Sequence, residues 1–194
     1  MSICMITNKR LVDASGPDFY PTPRWGTLAL LQNENFTGTI LEPCCGTGDM
    51  SKVLKETNCK VISSDINDWG YGDVVDFFDI NAPYDNIITN PPYNIANDIL
   101  THAIQLATQK VCILVRASFL ESITRYNTVY SVIPPSRVYL FSERLSLYPA
   151  GSQVKGGGTT TYVWIVWDKN FTGEHPELHW IKPGLKKNSR QQLR

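Results

Sequence analysis

The chain of 194 residues balances 18 basic against 18 acidic side chains, so no strong overall field announces a polyanion partner. Its length and its 42% hydrophobic content suit one domain with a sizeable core. Five cysteines, an odd number with Cys44 and Cys45 adjacent, fit reduced, cytoplasmic usage and not a disulfide framework. No leader-like stretch and no apolar run of membrane length stands out, so neither secretion nor a membrane partner is expected.

In chain order, residues 1–18 are polar and unpatterned and read as an irregular lead-in. Phe19-Tyr20-Pro21-Thr22-Pro23 predicts an extended entry. Thr22 is placed to cap a helix that has Pro23 in its first position and Trp25, Leu28, Leu30 and Leu31 on its apolar side. A short strand over 38–42 then passes into Pro43-Cys44-Cys45-Gly46-Thr47-Gly48-Asp49, and helix resumes over 49–57 with Met50, Val53 and Leu54 buried. Strand, glycine turn and helix open a doubly wound sheet, in which a ligand lies across the carboxyl ends of the strands. Gly46 and Gly48 are expected to let the backbone approach that ligand closely. The third glycine of a dinucleotide fingerprint would stand at Ser51, and no Gly-Lys-Ser/Thr follows. A pyrophosphate ligand is thereby disfavoured. Glu42, at the strand end, suits one that bears an amine.

A second strand, 60–65, ends in Asp65, at about the 20-residue offset from the glycine turn where an acid takes up ribose hydroxyls; Ile66 stands beside it. Residues 74–79 predict a third strand-like piece containing Asp76 and Phe77, and 86–89 a fourth strand. Ile95, Ile99, Ala103, Ile104 and Leu106 repeat as a helix. A fifth strand over 111–115 leaves Arg116 at its end, and helix is expected over 119–130. Strands over 137–141 and 161–167 have no helix between them, so they should pair antiparallel as a hairpin-like unit at the sheet edge. The stretch 142–159 between them is turn-rich and is expected to be mobile until something binds. His175 and His179 make a poor metal pair, because Pro176 spoils the helix that would align them; 175–181 suits a short edge strand. Residues 182–194 form a basic tail, and no segment is long enough for a separate recognition domain.

The fourth strand runs straight into Asn90-Pro91-Pro92-Tyr93. Two consecutive prolines forbid helix and remove two backbone donors, so the chain leaves the strand as a rigid corner. That corner joins an amide, backbone carbonyls and an aromatic face. The set suits a planar group carrying an NH2, whose hydrogens the oxygens accept while the ring stacks.

Taken with these motifs in order, the chain over 19–181 resembles the S-adenosylmethionine-dependent amino-methyltransferases that carry Asn-Pro-Pro-Tyr, and is similar above all to small phage and prophage DNA adenine methyltransferases. The resemblance implies a class I, Rossmann-like fold: a seven-stranded, mostly parallel sheet with the last strand antiparallel. It implies that the Phe19-Tyr20-Pro21-Thr22-Pro23 segment, with Tyr20 and Thr22, borders the methionine end of the cofactor, that Glu42, Cys44, Gly46 and Gly48 form its loop, and that Asp65 and Ile66 hold its ribose. It further implies that Asp76 and Phe77 read its adenine, with Asn90 bordering both cofactor and substrate. Asn90, Pro91, Pro92 and Tyr93 would be catalytic, with no metal. Cys44 and Cys45 depart from the family's small residues.

The function expected from that resemblance is methyl transfer to the amino nitrogen of adenine in DNA, with the target base flipped from its stack. RNA adenine or a protein glutamine amide would fit the same corner, and an inactive cofactor- or DNA-binding module is the reading from another class. Loose sequence preference is expected, or a homodimer or partner that supplies target recognition.

Overall fold

The computed structural model describes residues 19–151 and 159–187. The lead-in over 1–18, the glycine-rich part of the 142–159 stretch and most of the basic tail lie outside the described residues.

Apolar residues alternate along the long strands, and each set meets a different layer. Strand β5 (Ala107–Arg116) turns Cys112 and Leu114 to one face and Val111, Ile113 and Val115 to the other. Strand β7 (Tyr162–Asp168) does the same with Tyr162, Trp164 and Val166 against Val163, Ile165 and Trp167. A strand buried on both faces needs helices on both, as in parallel α/β sheets. Helices α1 (Arg24–Leu31) and α2 (Asp49–Leu54) cover the first face through Trp25, Leu30, Met50 and Leu54. Helix α3 (Ala96–Leu106) covers the second through Ile99, Leu100 and Ala103. Trp164 is fully buried and its Nε1 donates to Gly26 O of α1 at 2.8 Å. No described helix is long and apolar enough to cross a membrane.

The remaining strands are β1 (Thr39–Glu42), β2 (Lys60–Asp65), β3 (Asp73–Val74), β4 (Tyr84–Thr89), β6 (Arg137–Phe141) and β8 (Glu177–Ile181). Together they form one sheet in the order β3-β2-β1-β4-β5-β7-β6-β8, with only β7 antiparallel to its neighbours. Among the described residues the sheet has eight strands, one more than expected, because β8 pairs parallel to β6. The unit of β6 and β7 is therefore internal: β7 inserts between β5 and β6, and β8 takes the edge.

Three local expectations change. The third strand is only two residues long, since the Asp76 carboxylate accepts from Phe78 N and turns 77–79 into a 3-10 helix. The single helix expected over 119–130 is three short pieces: a 3-10 turn at Ala117–Leu120, α4 (Ile123–Arg125) and a π turn at Tyr126–Tyr130. Arg125 anchors this irregular path by donating to the carbonyls of Phe119, Ser118 and Glu121. The described part of the 142–159 stretch is held firmly, because Leu145 and Leu147 are buried in the core and Ala150 N donates to Phe19 O.

At the end of the sheet opposite the glycine turn, a buried charge cluster joins three strands. Glu34 accepts from Arg137 Nε at 2.5 Å, Lys110 Nζ at 2.6 Å and the Tyr139 hydroxyl at 2.8 Å, while Arg137 also meets Asp168 at 2.6 Å. Burial disfavours charge on Glu34, but these three donors outweigh it and hold its carboxyl below the ordinary range. Removing one member leaves buried charge uncompensated, so Glu34→Ala should cost roughly 3–5 kcal/mol of unfolding free energy in urea titrations at pH 7. The contribution is present above the unfolded carboxyl's pKa and disappears as pH falls through the lower folded one. The difference between the two proteins should accordingly shrink below about pH 4. A loss under about 1 kcal/mol at pH 7 would contradict the clamp.

Candidate active site

The sheet order reverses between β1 and β4, and the chain departs from their carboxyl ends in opposite directions. Such a switch point opens a crevice by construction. Here it is a cleft with about 910 Å³ of empty space, its mouth included, within the range of small-molecule sites. Glu42 at the end of β1, Asp65 and Ile66 at the end of β2, Asp76 and Phe77 after β3, and Asn90 to Tyr93 after β4 all line it. The entry segment Phe19 to Thr22 forms a further wall, and Cys44 lies in the floor.

The double-proline corner is fixed from behind by that entry segment. Asn90 Nδ2 donates to Tyr20 O at 3.0 Å and to Thr22 Oγ1 at 3.1 Å. Thr22 thus holds the amide and does not cap α1; Pro23 stands at the cap position, with no side-chain bond. With both amide hydrogens engaged, Asn90 Oδ1 is left buried with no hydrogen-bond partner among the described residues. A buried acceptor without a donor costs free energy, so it marks where a donor is expected to arrive. Next to it, Pro92 O accepts from Ile95 N at 3.2 Å, and no described backbone amide donates to Pro91 O. Tyr93 carries the Arg116 guanidinium over its ring at 4.4 Å from the centroid, and it meets Tyr20 and Tyr162 at tilted angles.

The other half of the cleft is acidic. Glu42 is buried, and Ser51 Oγ donates to it and also bonds Ser63 Oγ at 2.5 Å. The position where a dinucleotide fingerprint has glycine thus ties β1, α2 and β2 together. Burial pushes the Glu42 carboxyl up to about 8, with the neighbouring charges of Asp49 and Asp65 adding to the shift against the Ser51 bond. Asp65 accepts from Gly46 N at 3.0 Å, Asn67 N at 2.9 Å and Trp69 Nε1 at 3.1 Å, so it organises the turn while lining the cleft. Burial pushes the Cys44 and Cys45 thiols up to about 12. Both stay protonated near neutral pH and neither offers a thiolate nucleophile. Among the described residues no cluster of His, Cys, Asp and Glu is arranged to hold a metal ion.

Two residues expected at the cofactor lie outside the cleft wall. Gly46 and Gly48 have φ of 50° and 77°, which requires glycine, but the space beside them is filled. A Cβ on Gly46 would fall 2.1 Å from the Phe19 ring, and one on Gly48 would fall 2.4 Å from the Tyr71 ring. The glycines admit aromatic side chains, so the turn is packed against protein. Phe77 is nearly fully buried, against His102 of α3, whereas Phe78 is partly exposed and also lines the cleft. Phe19 and Trp69, whose ring centroids lie 4.6 Å apart, form a wall of which sequence reasoning had Phe19 beside the cofactor but missed Trp69. The run Trp69-Gly70-Tyr71-Gly72 was the available signal, since aromatics between glycines in a loop near a strand end suggest a lining.

This sheet order, with a cleft at the switch point and one antiparallel strand, is the Rossmann-like fold of class I methyltransferases. No protein-family model and no curated protein matches the chain. Solved structures do match. A provisionally assigned RNA methyltransferase from Pyrococcus horikoshii is 15% identical with a TM-score of 0.55, the match covering 77% of this chain and 85% of that one. Protein 1320 of Thermoplasma acidophilum is 15% identical with a TM-score of 0.52, over 74% and 86% of the two chains. Trm5b from Pyrococcus abyssi is 16% identical with a TM-score of 0.50, over 76% of this chain and 49% of that one. At such identities the likeness is one of fold.

The raised Glu42 carboxyl has a defined pH signature. Because its folded pKa lies near 8, above the ordinary value, its stabilising contribution is complete below about pH 4 and disappears as pH rises through about 8. Glu42→Gln, which cannot ionise, should therefore gain thermal stability relative to the parent as pH goes from 6 to 9. Parallel melting curves across that range would contradict the assignment.

Proposed function

We propose that this protein is an S-adenosylmethionine-dependent methyltransferase that acts on the exocyclic amino nitrogen of adenine in DNA. The observation that carries the reading is the Asn90 amide, whose donors are held by Tyr20 and Thr22 while its buried oxygen stands without a partner beside Pro91. The resemblance of Asn90-Pro91-Pro92-Tyr93 and the order of the other motifs supply the substrate class.

The cleft fits the cofactor on chemical grounds. A ligand with a sulfonium and an ammonium suits a pocket whose charged lining is acidic, with Glu42, Asp49, Asp65 and Asp76. A cation against Glu42 would favour its ionised form and draw off its proton. Tyr20, Thr22, Cys44, Asp65, Ile66 and Asp76 would hold the remainder, with Phe77 and Phe78 against its adenine. When bound, S-adenosylmethionine supplies an electrophilic methyl group and its own leaving group.

The protein's part is placement and partial charge. An aromatic amine is a weak nucleophile because its lone pair is delocalised into the ring. Asn90 Oδ1 accepts one N–H and Pro91 O the other, which favours a tetrahedral nitrogen whose lone pair is directed at the methyl donor. Tyr93, braced from one side by Arg116, stacks on the base. The fixed amide needs no reorganisation when charge develops on the amine. A base within a duplex must first be flipped, at a cost of a few kcal/mol. Target choice is loose or is supplied by a second subunit or partner.

The test is transfer from labelled S-adenosylmethionine to DNA, RNA and cell-extract protein, followed by digestion and identification of the product. Labelled N6-methyladenine from DNA is expected. Label confined to RNA or to glutamine would move the substrate, and cofactor binding without transfer would overturn the enzyme reading. Asn90→Ala should lose roughly 10²–10³-fold in transfer, the scale of removing one preorganised polar group, while cofactor affinity changes only a few-fold.

A further inference from the structure

We infer that Arg116 holds a backbone phosphate next to the target base, so that the enzyme selects a nucleotide within a nucleic-acid strand. The assignment rests on the methyltransferase reading and deepens it.

Arg116 is the last residue of β5, beside the corner at the end of β4. It stands opposite Tyr162 in the antiparallel register with β7, and Tyr162 and Arg116 both contact the Tyr93 ring. The guanidinium is only partly exposed, yet no described carboxylate pairs with it. Its Nε is a buried donor without a hydrogen-bond partner.

Other arginines of the fold show the contrast. Arg24 pairs with Glu56, Arg137 lies between Glu34 and Asp168, and Arg125 is wrapped by three backbone carbonyls. A partly buried guanidinium with an unsatisfied N–H is costly unless an acceptor, best an anion, arrives. Its contact with the Tyr93 ring places the fork beside the residue that is to stack on the base.

The distribution of charge gives the ligand its sign. The cofactor half of the cleft gathers Glu42, Asp49, Asp65 and Asp76, which suits a cation. Among the described residues, the Arg116 guanidinium lies against Tyr93 at the substrate side, a charge that suits an anion. A glutamine side chain or a free nucleoside brings no anion to that position. A nucleotide in a strand brings one on each side of the base, and a guanidinium is matched to phosphate oxygens in both charge and geometry.

Steady-state transfer to short single-stranded oligonucleotides with one adenine tests the role. One version carries normal phosphates, and a second carries neutral methylphosphonates on the two linkages that flank the adenine. The wild type should lose about tenfold or more in kcat/KM on the neutral version, mostly in KM, the scale of a charge-assisted bond. Arg116→Ala should be slow on both and should no longer tell them apart, while Arg116→Lys should recover part of the discrimination. DNA and RNA versions show which backbone supplies the phosphate. A wild type that ignores the neutralised linkages overturns the assignment, as does an Arg116→Ala variant that keeps the full difference between the two oligonucleotides. A wild type that methylates no nucleic acid at all brings down the underlying reading instead. Cofactor binding and melting temperature of both variants show whether the fold is retained. If only Arg116→Lys folds, retained discrimination by that variant supports the assignment and its complete loss with normal turnover overturns it.

Discussion

Two hydrogen bonds from one amide set the geometry on which the site depends. Asn90 ends the path of β4, and Tyr20 and Thr22 belong to a segment that precedes it by some 70 positions. Without that segment the amide could rotate, and either its oxygen or its nitrogen could face the cleft. With it, the nitrogen is engaged and the oxygen is presented. The prolines at 91 and 92 act on the same problem from the other side, by denying the chain after the amide any helical alternative. The entry segment is itself tied down, since Phe19 packs on Gly46 and Phe19 O accepts from Ala150 N. The corner is therefore held by the glycine turn and by Ala150 together.

The sheet distributes its charges by end. The Glu34–Lys110–Arg137–Asp168 cluster closes the end away from the cleft, with every member paired. At the cleft the groups are less fully matched: burial pushes the Glu42 carboxyl up to about 8, and beside Tyr93 the Nε of Arg116 has no hydrogen-bond partner. Saturated pairing suits a structural clamp. Incomplete pairing suits a site that a ligand completes, because the buried polar groups are satisfied only in the complex.

Much of the fold was legible because strands buried on both faces read as apolar runs. Cys112 to Val115 and Tyr162 to Val166 could be little else. The order of strand, glycine turn, helix and acid-ended strand fixed the doubly wound class, and the lack of a helix between β6 and β7 foretold their antiparallel pairing. Residues 74–79 were missed locally, where the Asp76 carboxylate closes a turn on Phe78; several other errors concern a side chain whose partner lies far off in sequence. Thr22 looks like a helix cap until Asn90 is brought to it. Leu145 and Leu147, among turn residues, look mobile until α1 and Phe141 are packed beneath them. The same limit hid the place of Trp69 in the wall and the filled space at Gly46 and Gly48, since nothing local distinguishes a glycine that faces a ligand from one that faces a ring.

A crystal structure with S-adenosylhomocysteine and a nucleotide carrying adenine would test the central claim most directly. The account predicts the adenine amine within hydrogen-bond distance of Asn90 Oδ1 and Pro91 O, the Tyr20 and Thr22 bonds to Nδ2 intact, and the cofactor's sulfur in line behind the amine. An Asn90 amide turned to present its nitrogen to the cleft, or a cofactor bound with the corner facing elsewhere, would contradict it.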